Sequence, residues 1–186
     1  RSMKKLLLLF CLVIVVFVHP SIAHGQYFHA YGWNEYPEIA PIGPPQIVFP
    51  VDGVASFVDD FNDPRSGGRI HEGIDMRADK MTPIVAARGG RVVFAPFEEP
   101  TYGYTLSIQG DDGYVYNYLH INNDTPGTDD NVGGPQYAYA LGIEDGSTVK
   151  QGQHIAWVGD SGNAESTVPH LHFEIRQHDK TALNPY

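Results

Sequence analysis

His170-Leu-His-Phe-Glu-Ile-Arg176 sets polar and apolar side chains against each other, with His170 and His172 on one side and Leu171 and Phe173 on the other. A period of two is that of a β-strand with one face on a core. Short β-prone runs recur upstream at residues 70–76, 83–86, 91–95, 105–109, 114–120 and 154–158, separated by Gly and Asp. With 20 Gly and 14 Pro in 186 residues, the punctuation suits many short strands and disfavours a helical bundle. The expected fold is a mainly β domain built on an antiparallel sheet, with no helix longer than a turn or two.

The domain does not begin at residue 1. Lys4 and Lys5 precede an apolar run over residues 6–18, and Ser21-Ile-Ala23 supplies small residues for cleavage, so residues 1–23 read as a signal peptide. The run holds about 13 residues, short of the ~20 a spanning helix needs, and no stable membrane insertion is expected after cleavage. Residues 24–46 carry Pro37, Pro41, Pro44 and Pro45 among aromatic residues and read as an extended lead-in. Residues 47–186 form the domain. Cys11 is the only cysteine and lies in the signal, so disulfides and thiolate metal sites are excluded from the exported chain. Loss of Arg1, Lys4 and Lys5 takes the formal charge from −10 to −13, which argues against nucleic acid and anionic membrane as partners. A secreted monomer, periplasmic or at the extracellular cell wall, is expected.

The chemistry lies in the histidines. In His71-Glu-Gly-Ile-Asp75, strand alternation would put His71 and Asp75 on one face, with Gly73 between them leaving space for something bound by its neighbours. His170 and His172 repeat the arrangement near the other end of the domain. An isolated His-x-His is weak evidence, but two such pairs offer imidazole and carboxylate donors of the kind that bind Zn²⁺, whose catalytic sites keep three protein ligands and a water. His120 ends the alternating run Tyr114-Val-Tyr-Asn-Tyr-Leu-His120 and is a further candidate at a strand end.

These residues, together with Thr82-Pro-Ile-Val-Ala86, Gly146-Ser-Thr-Val-Lys-Gln-Gly152, Val158-Gly-Asp-Ser-Gly162 and Asn184-Pro185, resemble the M23 zinc metallopeptidases of the lysostaphin and LytM type. The resemblance runs from about residue 49 to the C-terminus. It implies a duplicated-hybrid-motif-like β fold and one Zn²⁺ per chain held by His71, Asp75 and His172. His120 and His170 would be the unligated catalytic pair. The implied activity is a secreted endopeptidase that cuts peptidoglycan crosslinks or stem peptides through a zinc-activated water. The rival reading is a wall-binding or amidase-activating module of the same fold without turnover. Met81 and Val168 stand where the family usually has Gly, which predicts altered turns.

The connection over residues 121–145 is longer than the family's usual one, and its expected role is a wall of the substrate groove. Asp124, Asp129 and Asp130 within it lack EF-hand spacing and read as a solvated acidic turn in preference to a calcium loop.

Overall fold

The computed structural model describes residues 39–93, 98 and 100–186; the signal segment, most of the aromatic lead-in and the end of the 91–95 run lie outside the described residues. The strands are β1 (Ile74–Arg77), β2 (Pro83–Val85), β3 (Gly90–Val92), β4 (Tyr104–Gly110), β5 (Val115–Ile121), β6 (Thr148–Val149), β7 (His154–Trp157), β8 (His170–Arg176) and β9 (Ala182–Leu183). One four-residue helix, α1 (Pro135–Ala138), lies between β5 and β6. An antiparallel sheet runs in the order β1-β8-β5-β4-β3-β6, with β9 paired to the end of β8, and β2 and β7 form a separate two-stranded sheet. The fold class is mainly β and antiparallel. No helix among the described residues is long and apolar enough to cross a membrane.

Cross-strand register assigns the two faces of the large sheet. Ile74 pairs with Phe173, Phe173 with Tyr118, and Tyr118 with Leu106. Their side chains are buried to 1% exposure or less and form the core with Ile84, Ile155 and Ala156 of the small sheet. Burial of this apolar row is the main stabilising term, about 1.5–3 kcal/mol per large side chain. The opposite register set runs Asp75–His172–Leu119, with Ser107–Asn117–Glu174 beside it. This face carries the polar residues, and a one-residue slip of β8 would exchange the two sets.

Two local departures from regular strand matter. The 70–76 run is strand only from Ile74; Ile70 pairs in an isolated bridge with Pro64, and His71 donates its backbone N–H to Asp63 O while accepting from Asn62. Residues 60–71 therefore form a loose hairpin whose tip is the 3₁₀ turn Ser66–Gly68. Met81 has φ 67°, which explains why Gly is usual at this position: the turn into β2 needs the left-handed region. Val168 shows no such demand.

Candidate metal centre

β1 and β8 bring Asp75 opposite His172, and the hairpin ending at His71 adds the third donor. His71 Nε2, Asp75 Oδ1 and His172 Nδ1 form a near-equilateral triangle, with separations of 2.9 Å between the nitrogens, 3.0 Å from His71 to Asp75 and 2.9 Å from His172 to Asp75. His71 reaches the triangle from a hairpin and not from a shared strand face. Gly73 also differs from its expected role. A Cβ there would run into Phe173 O and lie 2.8 Å from His172 Nε2, so Gly73 makes room for β8 and the His172 ring, with no space left for a ligand.

The outer nitrogen of each imidazole is fixed. His71 Nδ1 lies 2.8 Å from Asp60 O, and His172 Nε2 lies 3.0 Å from Glu174 Oε1. Carbonyl and carboxylate oxygens only accept, so both imidazoles donate outward and aim their other nitrogen, His71 Nε2 and His172 Nδ1, inward. Glu174 is anchored in turn by Arg176 Nε at 2.7 Å and Asn117 Nδ2 at 2.9 Å, with Ser107 Oγ donating to Asn117. This buried polar row under β8 uses residues whose spacing gave no separate signal. Asp60, Arg65, Asn117 and Arg176 were invisible as site residues in the sequence; Glu174 follows His170 and His172 on the same strand face.

The electrostatics show a demand for positive charge. Burial pushes His172 down, but hydrogen bonds to Asp75 and Glu174 outweigh it and lift its pKa to about 9. Burial would raise the Asp75 carboxyl, yet hydrogen bonds from His172 and His71 hold it far below the ordinary carboxylate range. Glu174 is likewise held low, since His172 and Arg176 overcome its burial. Two imidazole nitrogens and a carboxylate oxygen pointing at one spot are a borderline donor set that fits Zn²⁺, and the pre-oriented outer partners are what such sites require.

His120 and His170 stand beside the triangle, with ring centroids 5.1 Å apart, and His120 is 6.1 Å from His172. Strict alternation would have sent His120 to the core face with Tyr116 and Tyr118. Instead its φ is 58°, and the β4–β5 register shifts between Tyr104 and Leu106, a bulge that turns the ring back to the site. His120 Nδ1 is 2.9 Å from Ser161 O and His170 Nδ1 is 2.8 Å from Val168 O. Both rings therefore present Nε2 to the groove. Burial, with His170 and His172 alongside, pushes His120 down to about 3 and keeps it neutral. The five residues converge in a groove of about 630 Å³, also lined by Arg65, Arg69, Tyr102, Asn163 and Thr167.

The 121–145 connection is not among the described residues that line this groove. It is tied down elsewhere: Lys80 Nζ sits 2.7 Å from Asp124, 2.6 Å from Asp129 and 2.8 Å from Asp160. Asp124 is 1% exposed, so the acidic turn is in part a buried ion-pair cluster rather than a solvated loop.

This β scaffold with a histidine-rich groove is that of a family of peptidases. The sequence profile of Peptidase family M23 matches residues 69–133 and 135–185, and the chain belongs to that family. Among solved structures, the lysostaphin catalytic domain of Staphylococcus simulans is similar at a TM-score of 0.54 and 26% identity, covering 70% of this chain and 89% of that one. A zinc-containing peptidase from Vibrio cholerae is similar at 0.55 and 27%, covering 73% and 37%. Murein hydrolase activator NlpD of Salmonella dublin is 32% identical over 137 residues, which are 74% of this chain and 29% of that protein. The chain spans between 15% and 38% of the length of the curated relatives it matches.

Proposed function

We propose that the protein is an exported, zinc-dependent endopeptidase that hydrolyses peptide bonds in peptidoglycan crosslinks or stem peptides. The observation that carries this reading is the orientation of four imidazoles. Each has one nitrogen tied to an oxygen acceptor and the other facing the groove. His71, Asp75 and His172 would hold the metal, and His120 and His170 would act on the substrate. Bound zinc would supply an acidified water and polarise the scissile carbonyl. His120, neutral and fixed through Nδ1 by Ser161 O, accepts a hydrogen bond at Nε2 and aligns the attacking water. His170, with Nε2 3.8 Å from Asp75 Oδ1, takes the proton from the water and returns it to the leaving amine. Asp75 and Glu174 remain ionised throughout. Residues 1–23 would direct export, and the working unit would be a monomer.

A second reading, a regulator of other wall hydrolases, is favoured by the likeness to a murein hydrolase activator. Purified peptidoglycans of several crosslink types, incubated with the zinc-loaded protein and analysed by mass spectrometry, decide between the two. Zinc-dependent release of defined peptide fragments is expected. Stoichiometric zinc without cleavage of any wall, together with stimulation of a second hydrolase, would establish the regulator instead.

A further inference from the structure

The hairpin ahead of His71 performs a task that the three-donor triangle leaves undone. A carboxylate can meet a metal through one oxygen or both, and two-oxygen binding would crowd the position that a catalytic zinc site keeps open for water. Asp75 Oδ1 faces both imidazole nitrogens, whereas Asp75 Oδ2 is 2.8 Å from Arg65 Nη2. The same Nη2 is 3.1 Å from Asp60 Oδ2. Asp60 closes the ring. Its carbonyl accepts from His71 Nδ1, its Oδ1 lies 3.3 Å from that nitrogen, and Oδ1 accepts the Asp75 backbone N–H at 3.4 Å. Arg65 N donates to Arg69 O across the hairpin tip, which fixes where the guanidinium starts.

We propose that Arg65 is a positioning residue that commits Asp75 to bind metal through Oδ1 alone, by occupying Oδ2 and bracing it against Asp60. The inference rests on the reading of the triangle as a metal centre and concerns how that centre is kept open. A guanidinium suits the task because it is always charged and its planar N–H groups hold two carboxylates in one fixed geometry. Arg176 cannot substitute, since it is spent on Glu174 and Glu72.

The test compares wild type, Arg65→Met and Arg65→Lys after loading with Co²⁺ and, separately, Zn²⁺. Coordination is read by visible absorption of the cobalt forms and by zinc X-ray absorption, because geometry is diagnostic of ligand number. Wild type should give intense four-coordinate cobalt bands. Arg65→Met should still bind one metal, about 10–100-fold more weakly, with the weaker bands of a five-coordinate ion and a fall in kcat at unchanged KM. Arg65→Lys restores the charge without the planar fork and should lie between the two. If Arg65→Met fails to fold, the Arg65→Lys spectrum alone decides. Wild-type spectra in the variants would overturn the proposal while leaving the metal centre intact. A wild-type protein that takes up neither metal would instead overturn the metal-centre reading, and this proposal with it.

Discussion

Two groups of three metal-type donors occur among the described residues, and they solve the same electrostatic problem in opposite ways. His71, Asp75 and His172 each aim one donor atom inward, with every outer nitrogen occupied, and among the described residues no ammonium or guanidinium stands between the three inward donor atoms. His172 answers the resulting potential by holding a proton, a cation that can be exchanged. Asp124, Asp129 and Asp160 gather as many donors, but Lys80 Nζ lies within 2.8 Å of all three carboxylates. The second cluster carries its own cation on a tether. Convergence of acidic or basic donors therefore does not by itself define a metal centre; what differs is whether the neighbouring residues orient the donors and leave the charge to be supplied from outside.

The sharpest way to break this comparison is to remove one inward donor. His172→Ala should abolish stoichiometric zinc and reduce peptidase activity to background, measured by metal analysis of the purified protein and by fragment release from peptidoglycan. Retention of tight zinc by that variant would mean the triangle is not the metal centre. His120→Ala should lower activity by about 10²–10³-fold, because the attacking water loses the acceptor that aligns it, while zinc content stays at wild type. Concurrent loss of zinc would show that His120 is a ligand and that the division of roles is wrong.

The contrast between the clusters also explains which parts were readable in the sequence. Strand alternation in His170–Arg176 placed Leu171 and Phe173 in the core and His172 at the site, because a sheet's period of two translates directly into faces. The same rule failed at His120, whose left-handed backbone reverses the face, and at His71, which precedes the strand. Gly73 carried a correct signal with the wrong cause, since its missing side chain accommodates β8. Arg65 and Asp60 were unreadable because their partner, Asp75, is brought to them by a hairpin with no strong propensity of its own. Asp124 looked like a loop carboxylate because its partner, Lys80, lies 44 residues before it, and the other buried carboxylate on that lysine, Asp160, lies on the far side of β7.

A pH titration sharpens the claim that an exchangeable proton stands where metal would bind. His172 is raised from an ordinary 6.5 to about 9, so in the metal-free protein it is protonated below that pH, and metal binding must release the proton. Apparent zinc affinity should rise by about tenfold per pH unit between about pH 7.5 and about pH 8.5, where the proton on His172 competes with the metal. Asp75 stays ionised across this window and adds no slope. Isothermal titration in two buffers of different ionisation enthalpy reads both affinity and proton release. A flat affinity with no released proton would show that His172 is neutral in the free site.

The smallest effect on the metal centre is expected from Lys80→Met, and this variant tests the other half of the comparison. Lys80 is only 21% exposed, while the Asp124 and Asp160 side chains are 2% and 3% exposed, so its removal strands two buried carboxylates. Loss of one partner of a buried pair costs several kcal/mol; partial exposure of the ammonium argues for the lower end, about 3 kcal/mol, seen as a lower denaturant midpoint. Zinc affinity should change by less than about twofold, because the two clusters share no donor and additivity holds for sites without common partners. Millimolar Ca²⁺ should restore about 1 kcal/mol to the variant and nothing to wild type, since a ligand that binds only the folded form stabilises it by mass action and carboxylate oxygens suit Ca²⁺. The connection that could defeat this expectation is short: Asp160 precedes Ser161, whose carbonyl fixes His120. If Lys80→Met lowers peptidase activity while zinc affinity holds, the ion-pair cluster is a support for His120 transmitted through residues 160–161, and the two clusters are not independent.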